Sequence, residues 1–138
     1  SQLKALGNDK MFVQNKKKGA SDNQFGVRLG DIRTLSKKIK TNHRLALELW
    51  ETENVEARLL ATLLIDAKLF SKNEMDKMVK SVTFVQVADW LNAYVVKIFP
   101  NKEYLRIEWL KSNNSMAARA GRNLTAQRVV KNPEGLDL

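Results

Sequence analysis

The 138-residue chain contains no cysteine, one histidine and two prolines, and each shortage removes a class of chemistry or structure. Without cysteine there is no disulfide, no thiolate ligand for zinc and no thiol nucleophile. A single histidine, His43, excludes most His-based metal sites and argues against a Ser-His-Asp triad. Neither metal-ligand spacing nor a Gly-rich phosphate loop occurs, so no metal and no cofactor is expected. No apolar run approaches the ~18 residues of a membrane span, and no signal-peptide pattern opens the chain. A soluble, cytoplasmic protein with no membrane partner is the expectation. Breakers are few, which favours helices.

What the chain has in excess is positive charge. Twenty-four Lys and Arg stand against 15 Asp and Glu, for a net charge of +9 and a pI near 9.9. Such an excess attracts polyanions, of which nucleic acid is the commonest inside a cell. The remaining composition, 43% hydrophobic and 28% charged, is ordinary for one globular domain, here taken as 1–138. Lys16-Lys17-Lys18 and Lys37-Lys38 with Lys40 are basic clusters that could touch phosphates, although charge runs are more often solvated faces.

Breakers and apolar spacing predict an all-α chain. One or two short helices run over 1–18, broken near Gly7-Asn8, and 20–26 is a loop rich in turn formers. Helices follow over 29–40, 43–50, 55–65, 72–80, 84–98, 102–111 and 115–130, with Asn132-Pro133-Glu134-Gly135 as a stop. Asn54 is the expected N-cap of one helix, Thr83 of another, and Ser71 with Glu74 reads as a capping box. In 84–98, Phe84, Val87, Leu91, Val95 and Ile98 share the core stripe, while Val85, Asp89, Asn92 and Val96 lie beside it. Trp50, Trp90 and Trp109 sit in apolar helical contexts and are expected in the core. His43 is expected to be a capping or surface residue.

A charged residue after a small one recurs at Arg28, Arg58, Asp89 and Arg119, every 30 or 31 residues. A period of this size with two helices per unit is that of helical solenoids of the HEAT or armadillo type, in which one helix of each pair lines a concave surface. Arg28, Arg58, Asp89 and Arg119 are then expected in one row on that surface, with Arg122 and Asn123 in the patch of Arg119. The longer superposition is loose: Leu47, Asn54, Ala57 and Arg58 fall on Glu108, Ser115, Ala118 and Arg119.

Phe25-Gly26-Val27-Arg28, Leu29-Gly30-Asp31-Ile32-Arg33, Leu47-Glu48-Leu49-Trp50 and Glu56-Ala57-Arg58-Leu59-Leu60-Ala61 resemble the N-terminal half of the DNA alkylation repair family of AlkD-like proteins. The resemblance runs from about Phe25 to Val130. It implies a HEAT-like solenoid that holds duplex DNA by its phosphate backbone in a basic groove, and a glycosylase excising N3- and N7-alkylated purines. Asp89 matches the family's catalytic carboxylate, with a salt bridge to Arg58 or Arg119 of a neighbouring repeat as the alternative role for it, and Arg119 matches an arginine that touches the DNA backbone. Arg28, Arg58, Arg122, Lys37 and Lys38 complete the expected DNA-binding set, and a monomer is expected. Family members continue through further repeats, so the chain reads as shortened at its C-terminus. Three positions depart from the family's pattern: Val85 and Met116 replace aromatics, and Gln86 replaces the first Asp of the family's Trp-Asp-x-x-Asp-like string, in which Asp89 is the last residue. Two functions therefore stay open, an alkylpurine DNA glycosylase and a non-catalytic DNA- or protein-binding solenoid.

Overall fold

Breaker and capping residues set the ends of the helices in the structure, a computed structural model that describes residues 2–20 and 22–131. Helix α1 (Gln2–Ala5) gives way at Gly7 to α2 (Asp9–Lys17), whose first turn is capped by the Asn8 side chain accepting from the Met11 amide. Helix α3 (Leu29–Ile39) stops where Lys40 takes a positive φ of 64°. Asn42 caps α4 (His43–Glu51), and Asn54 caps α5 (Val55–Leu64) as expected. Then come α6 (Lys72–Lys80), α7 (Val85–Tyr94), α8 (Lys102–Leu110) and α9 (Ser115–Lys131). All regular structure among the described residues is helical.

The expected capping box of α6 is complete. The Glu74 amide donates to Ser71 Oγ, and the Ser71 amide donates to Glu74 Oε1. The bond from the Ser71 backbone, followed by that with its side chain, holds the Glu74 carboxyl below the usual glutamate range. A carboxyl depressed in the folded state stabilises above its unfolded pKa, and that contribution is lost as pH falls through the folded value. The start of α6 is therefore expected to fray in acid below the ordinary glutamate range. Protection of the Ser71 amide hydrogen, relative to its intrinsic exchange rate, should fall there in wild type and be low at every pH in Glu74→Ala.

Helix α7 is shorter than its sequence pattern. It ends at Tyr94, Val95 adopts φ −120° and ψ −60°, and Val96–Ile98 form a 3₁₀ turn. Phe84, Val87, Leu91 and Val95 are buried, but Ile98 is 64% exposed. The tighter winding of the last turn, about 120° per residue against 100°, swings Ile98 off the stripe. Phe84, not Thr83, is the N-cap, and it makes no side-chain capping bond. A second 3₁₀ turn, Ala67–Leu69, lies in a stretch left without structure by the sequence pattern. The expected stop at Asn132 to Gly135 lies outside the described residues.

The helices stack in two rows. One is α3, α5, α7 and α9, each against the next; α4 packs on α5, while α8 and α6 pack on α9. Side chains tie α4, α6 and α8 into the second row. Trp50 Nε1 of α4 donates to Ser81 Oγ just beyond α6 (3.2 Å), and Trp109 Nε1 of α8 donates to Asp76 Oδ1 of α6 (2.7 Å). Trp50, Trp90 and Trp109 are all buried, as their contexts predicted. His43 is half-buried at the start of α4, where Nδ1 accepts from the Asp66 amide and the ring meets Phe70 edge-on.

Helix α5 lies at the centre and is apolar almost all round, the pattern of a helix enclosed on every side. Its polar exceptions are each satisfied. Glu56, fully buried, accepts from the amides of Phe25 (2.6 Å), Gly26 (3.2 Å) and Val27 (3.3 Å). Thr62 Oγ1 donates to Leu59 O. Gly26 can present its amide because it takes φ 73° with its α-carbon pressed to α2. A Cβ there would lie 2.5 Å from Asn8 O and 2.7 Å from Phe12 N.

Candidate nucleic-acid interface

The repeat in the sequence reappears as hydrogen bonds between successive units. Asn54 caps α5 through Oδ1 and donates from Nδ2 to Asn23 Oδ1, and Asn114 caps α9 in the same way while donating from Nδ2 to Lys80 O. Asn54 thus corresponds to Asn114 and not, as the loose superposition had it, to Ser115. Helices α5, α7 and α9 begin at Val55, Val85 and Ser115. Arg58 is consequently the fourth residue of its helix, whereas Asp89 and Arg119 are the fifth of theirs.

One residue is a rotation of about 100°, enough to move a side chain to another face. The structure accordingly brings Asp89 and Arg119 together and leaves Arg58 apart. Arg119 Nε donates to Asp89 Oδ1 at 2.9 Å across α7 and α9, with the two side chains 44% and 46% exposed. Arg58 is 7% exposed. It donates from Nε to Trp50 O (3.1 Å) and from Nη1 to Ser81 O (3.0 Å), with its guanidinium 4.5 Å from the centre of a Trp50 ring. Burial pushes its pKa down, against the raising influence of Glu53 and Glu51. This guanidinium staples α5 to the ends of α4 and α6.

The fifth residue of α3 is Arg33, which the dyad spacing passed over in favour of Arg28. Arg33 is exposed and reaches across α5 to α7, with its guanidinium 4.6 Å from a Trp90 ring centre and Nη2 3.4 Å from Tyr94 Oη. Arginines from α3 and α9 thus flank α7: Arg33, reaching past α5, beside Trp90, and Arg119 beside Asp89. Arg28 is exposed immediately before α3, Lys37 and Lys38 are exposed in its last turn, and Arg122 is exposed one turn beyond Arg119. Lysines in a last turn also complement the helix dipole. Arg33 was legible in the sequence only by counting from helix starts rather than from similar dipeptides.

Val85, one turn before Asp89, is 42% exposed, and Met116 packs half-buried against the core. Clefts of about 300 and 370 Å³ lie elsewhere, the first between α1 and α3 and the second between α4 and α6, and neither is lined by Asp89. The carboxylate stands on an open, basic face. Among the described residues no group of His, Asp and Glu could hold a metal ion, and no helix is long and apolar enough to cross a membrane.

Two stacked rows of helices with a 30-residue period, carrying a carboxylate between arginines on one row, define a protein of the HEAT-like repeat class. The chain belongs to the DNA alkylation repair enzyme family, whose sequence model matches residues 1–136. It is also similar to a solved structure from a family of proteins related to the HEAT-like repeat DNA glycosylases, with affinity for branched DNA structures. The TM-score is 0.82 at 26% identity, over 90% of this chain and 53% of the other. The chain thus spans about half the length of that protein. No curated protein matches the chain.

Proposed function

We propose that the chain acts on duplex DNA as an N3/N7-alkylpurine glycosylase, without metal or cofactor, as a cytoplasmic monomer. The observation that carries this reading is the Asp89–Arg119 contact. A partly exposed carboxylate is fixed by a guanidinium on a face with further cations. An alkylated purine is a cationic base and leaves readily, so the charge that an enzyme must stabilise is the one developing on the sugar. A fixed carboxylate does that, or orients the attacking water. The bond from Arg119 holds the carboxylate in place through Oδ1, and among the described residues Oδ2 is left for this task. Release of methylated purine from alkylated duplex DNA tests the reading; wild-type protein that releases none fails it.

A second reading, a non-catalytic DNA-binding solenoid, is favoured by Val85. An aliphatic side chain there offers no π-face to a damaged nucleotide, and the comparison protein is described by its affinity for branched DNA rather than by base release. In both readings phosphate contacts dominate affinity and make it fall steeply with salt. Replacing Arg119 and Arg122 together with Ala should weaken duplex binding and flatten the plot of log affinity against log salt by roughly two contacts, about 0.9 each. Unchanged binding in a fluorescence anisotropy titration would move the interface elsewhere, and the lysines of α2 and α3 would be examined next.

A further inference from the structure

We infer that Arg33 and Tyr94 together form a phosphate-binding site on the α3 side of α7, separate from the Asp89–Arg119 pair; this rests on the DNA-binding reading above. No ion pair holds Arg33 among the described residues. Arg44, Arg106 and Arg119 each lie against a carboxylate, and Arg58 is spent on two carbonyls. Arg33 is oriented without being neutralised. The Trp90 ring supports one face of its guanidinium, and the Tyr94 hydroxyl accepts one of its five N–H groups in a long bond of 3.4 Å. Trp90 is itself buried and set edge-on against Tyr94, with centres 5.7 Å apart, so the support is rigid.

A guanidinium over an aromatic ring with most of its N–H donors unspent suits an anion that approaches in the plane of the fork. The Tyr94 hydroxyl, which accepts from Arg33, keeps its own hydrogen to donate. One phosphate oxygen can then accept from both Arg33 and Tyr94. The ligand class is a phosphodiester of one DNA strand, held without regard to base. Because Arg33, Asp89 and Arg119 are each the fifth residue of their helices, the two arginines bracket Asp89 at one level of the row. A strand lying across the row meets a cation on either side of the carboxylate, which positions a nucleotide over Asp89.

The test is anisotropy titration of a mixed-sequence duplex over a range of salt, with Arg33→Gln, Arg33→Lys and Tyr94→Phe beside wild type. Arg33→Gln should weaken binding roughly fivefold to tenfold at about 0.1 M salt and reduce the salt slope by about 0.9. Arg33→Lys should keep the slope yet bind more weakly than wild type, since the charge remains and the planar fork is lost. Tyr94→Phe should lose a smaller factor at unchanged slope, because it removes a neutral donor. If Arg33 only braces Trp90, Arg33→Gln will lower the melting temperature and leave affinity and slope as in wild type, which overturns the inference while the Arg119/Arg122 variant still reports DNA binding. Wild-type protein that binds no duplex overturns the DNA-binding reading itself.

Discussion

Asp89→Asn should lower release of alkylated purine by at least about 10²-fold, the size of effect seen when one group aimed at developing charge is removed from a site. The amide keeps the shape and can still accept from Arg119 Nε through its carbonyl oxygen. It cannot place negative charge against a cationic sugar. Duplex binding should persist or tighten slightly, because the change removes one negative charge from a face that meets phosphate. The split between lost chemistry and retained binding is the diagnostic. Excision that survives Asp89→Asn would show that another group performs the chemistry, and inactive wild type with intact binding would favour the non-catalytic reading. Val85 gives a companion measurement: Val85→Trp restores a π-face one turn from Asp89, and on the glycosylase reading it should raise the rate of release.

The largest effect on stability should come from Glu56. Its two carboxylate oxygens collect the amides of Phe25, Gly26 and Val27 in a site closed to solvent. Glu56→Ala removes three charge-assisted hydrogen bonds and leaves the buried amides of Gly26 and Val27 and the part-buried amide of Phe25 without an acceptor, a loss of about 3 to 5 kcal/mol. For a domain of this size that corresponds to a fall in melting temperature on the order of 10 °C or more. Glu56→Gln should fall between, since one amide oxygen can still accept while its NH₂ group faces backbone donors. A loss under about 1 kcal/mol for Glu56→Ala in denaturant melts would mean that the 25–27 segment is held by packing alone. The segment leads directly into Arg28 and α3, so its release would also loosen Arg28 and the helix that carries Arg33.

Much of this architecture was legible from local signals. Asn54, and Ser71 with Glu74, announce helix starts because a side-chain oxygen must satisfy amides that have no partner within the helix. The tryptophans announced the core because rings of that size are buried wherever the apolar spacing continues around them. The end of α7 at Tyr94 was not legible: Val95, Val96 and Ile98 carry no breaker, and the change to a 3₁₀ turn depends on how that segment meets its neighbours. Ile98 was assigned to the core on a periodicity that had already ended.

The charged dyads mark the boundary between the two kinds of information. Sequence alone determined that helices would repeat near 30 residues, that the chain would be strongly basic, and that Asp89 and Arg119 would stand in corresponding places, since these follow from spacing and composition. Which charges share a face was decided by tertiary structure. A helix turns about 100° per residue, so a shift of one position between Arg58 and its apparent equivalents carries it off the row of Asp89 and Arg119 and into contact with Trp50 and Ser81. The same geometry brings Arg33, 61 residues away in sequence from Tyr94, across α5 to meet it. No dipeptide spacing encodes that meeting, because it depends on where the first turn of each helix begins and on how closely three helices stack.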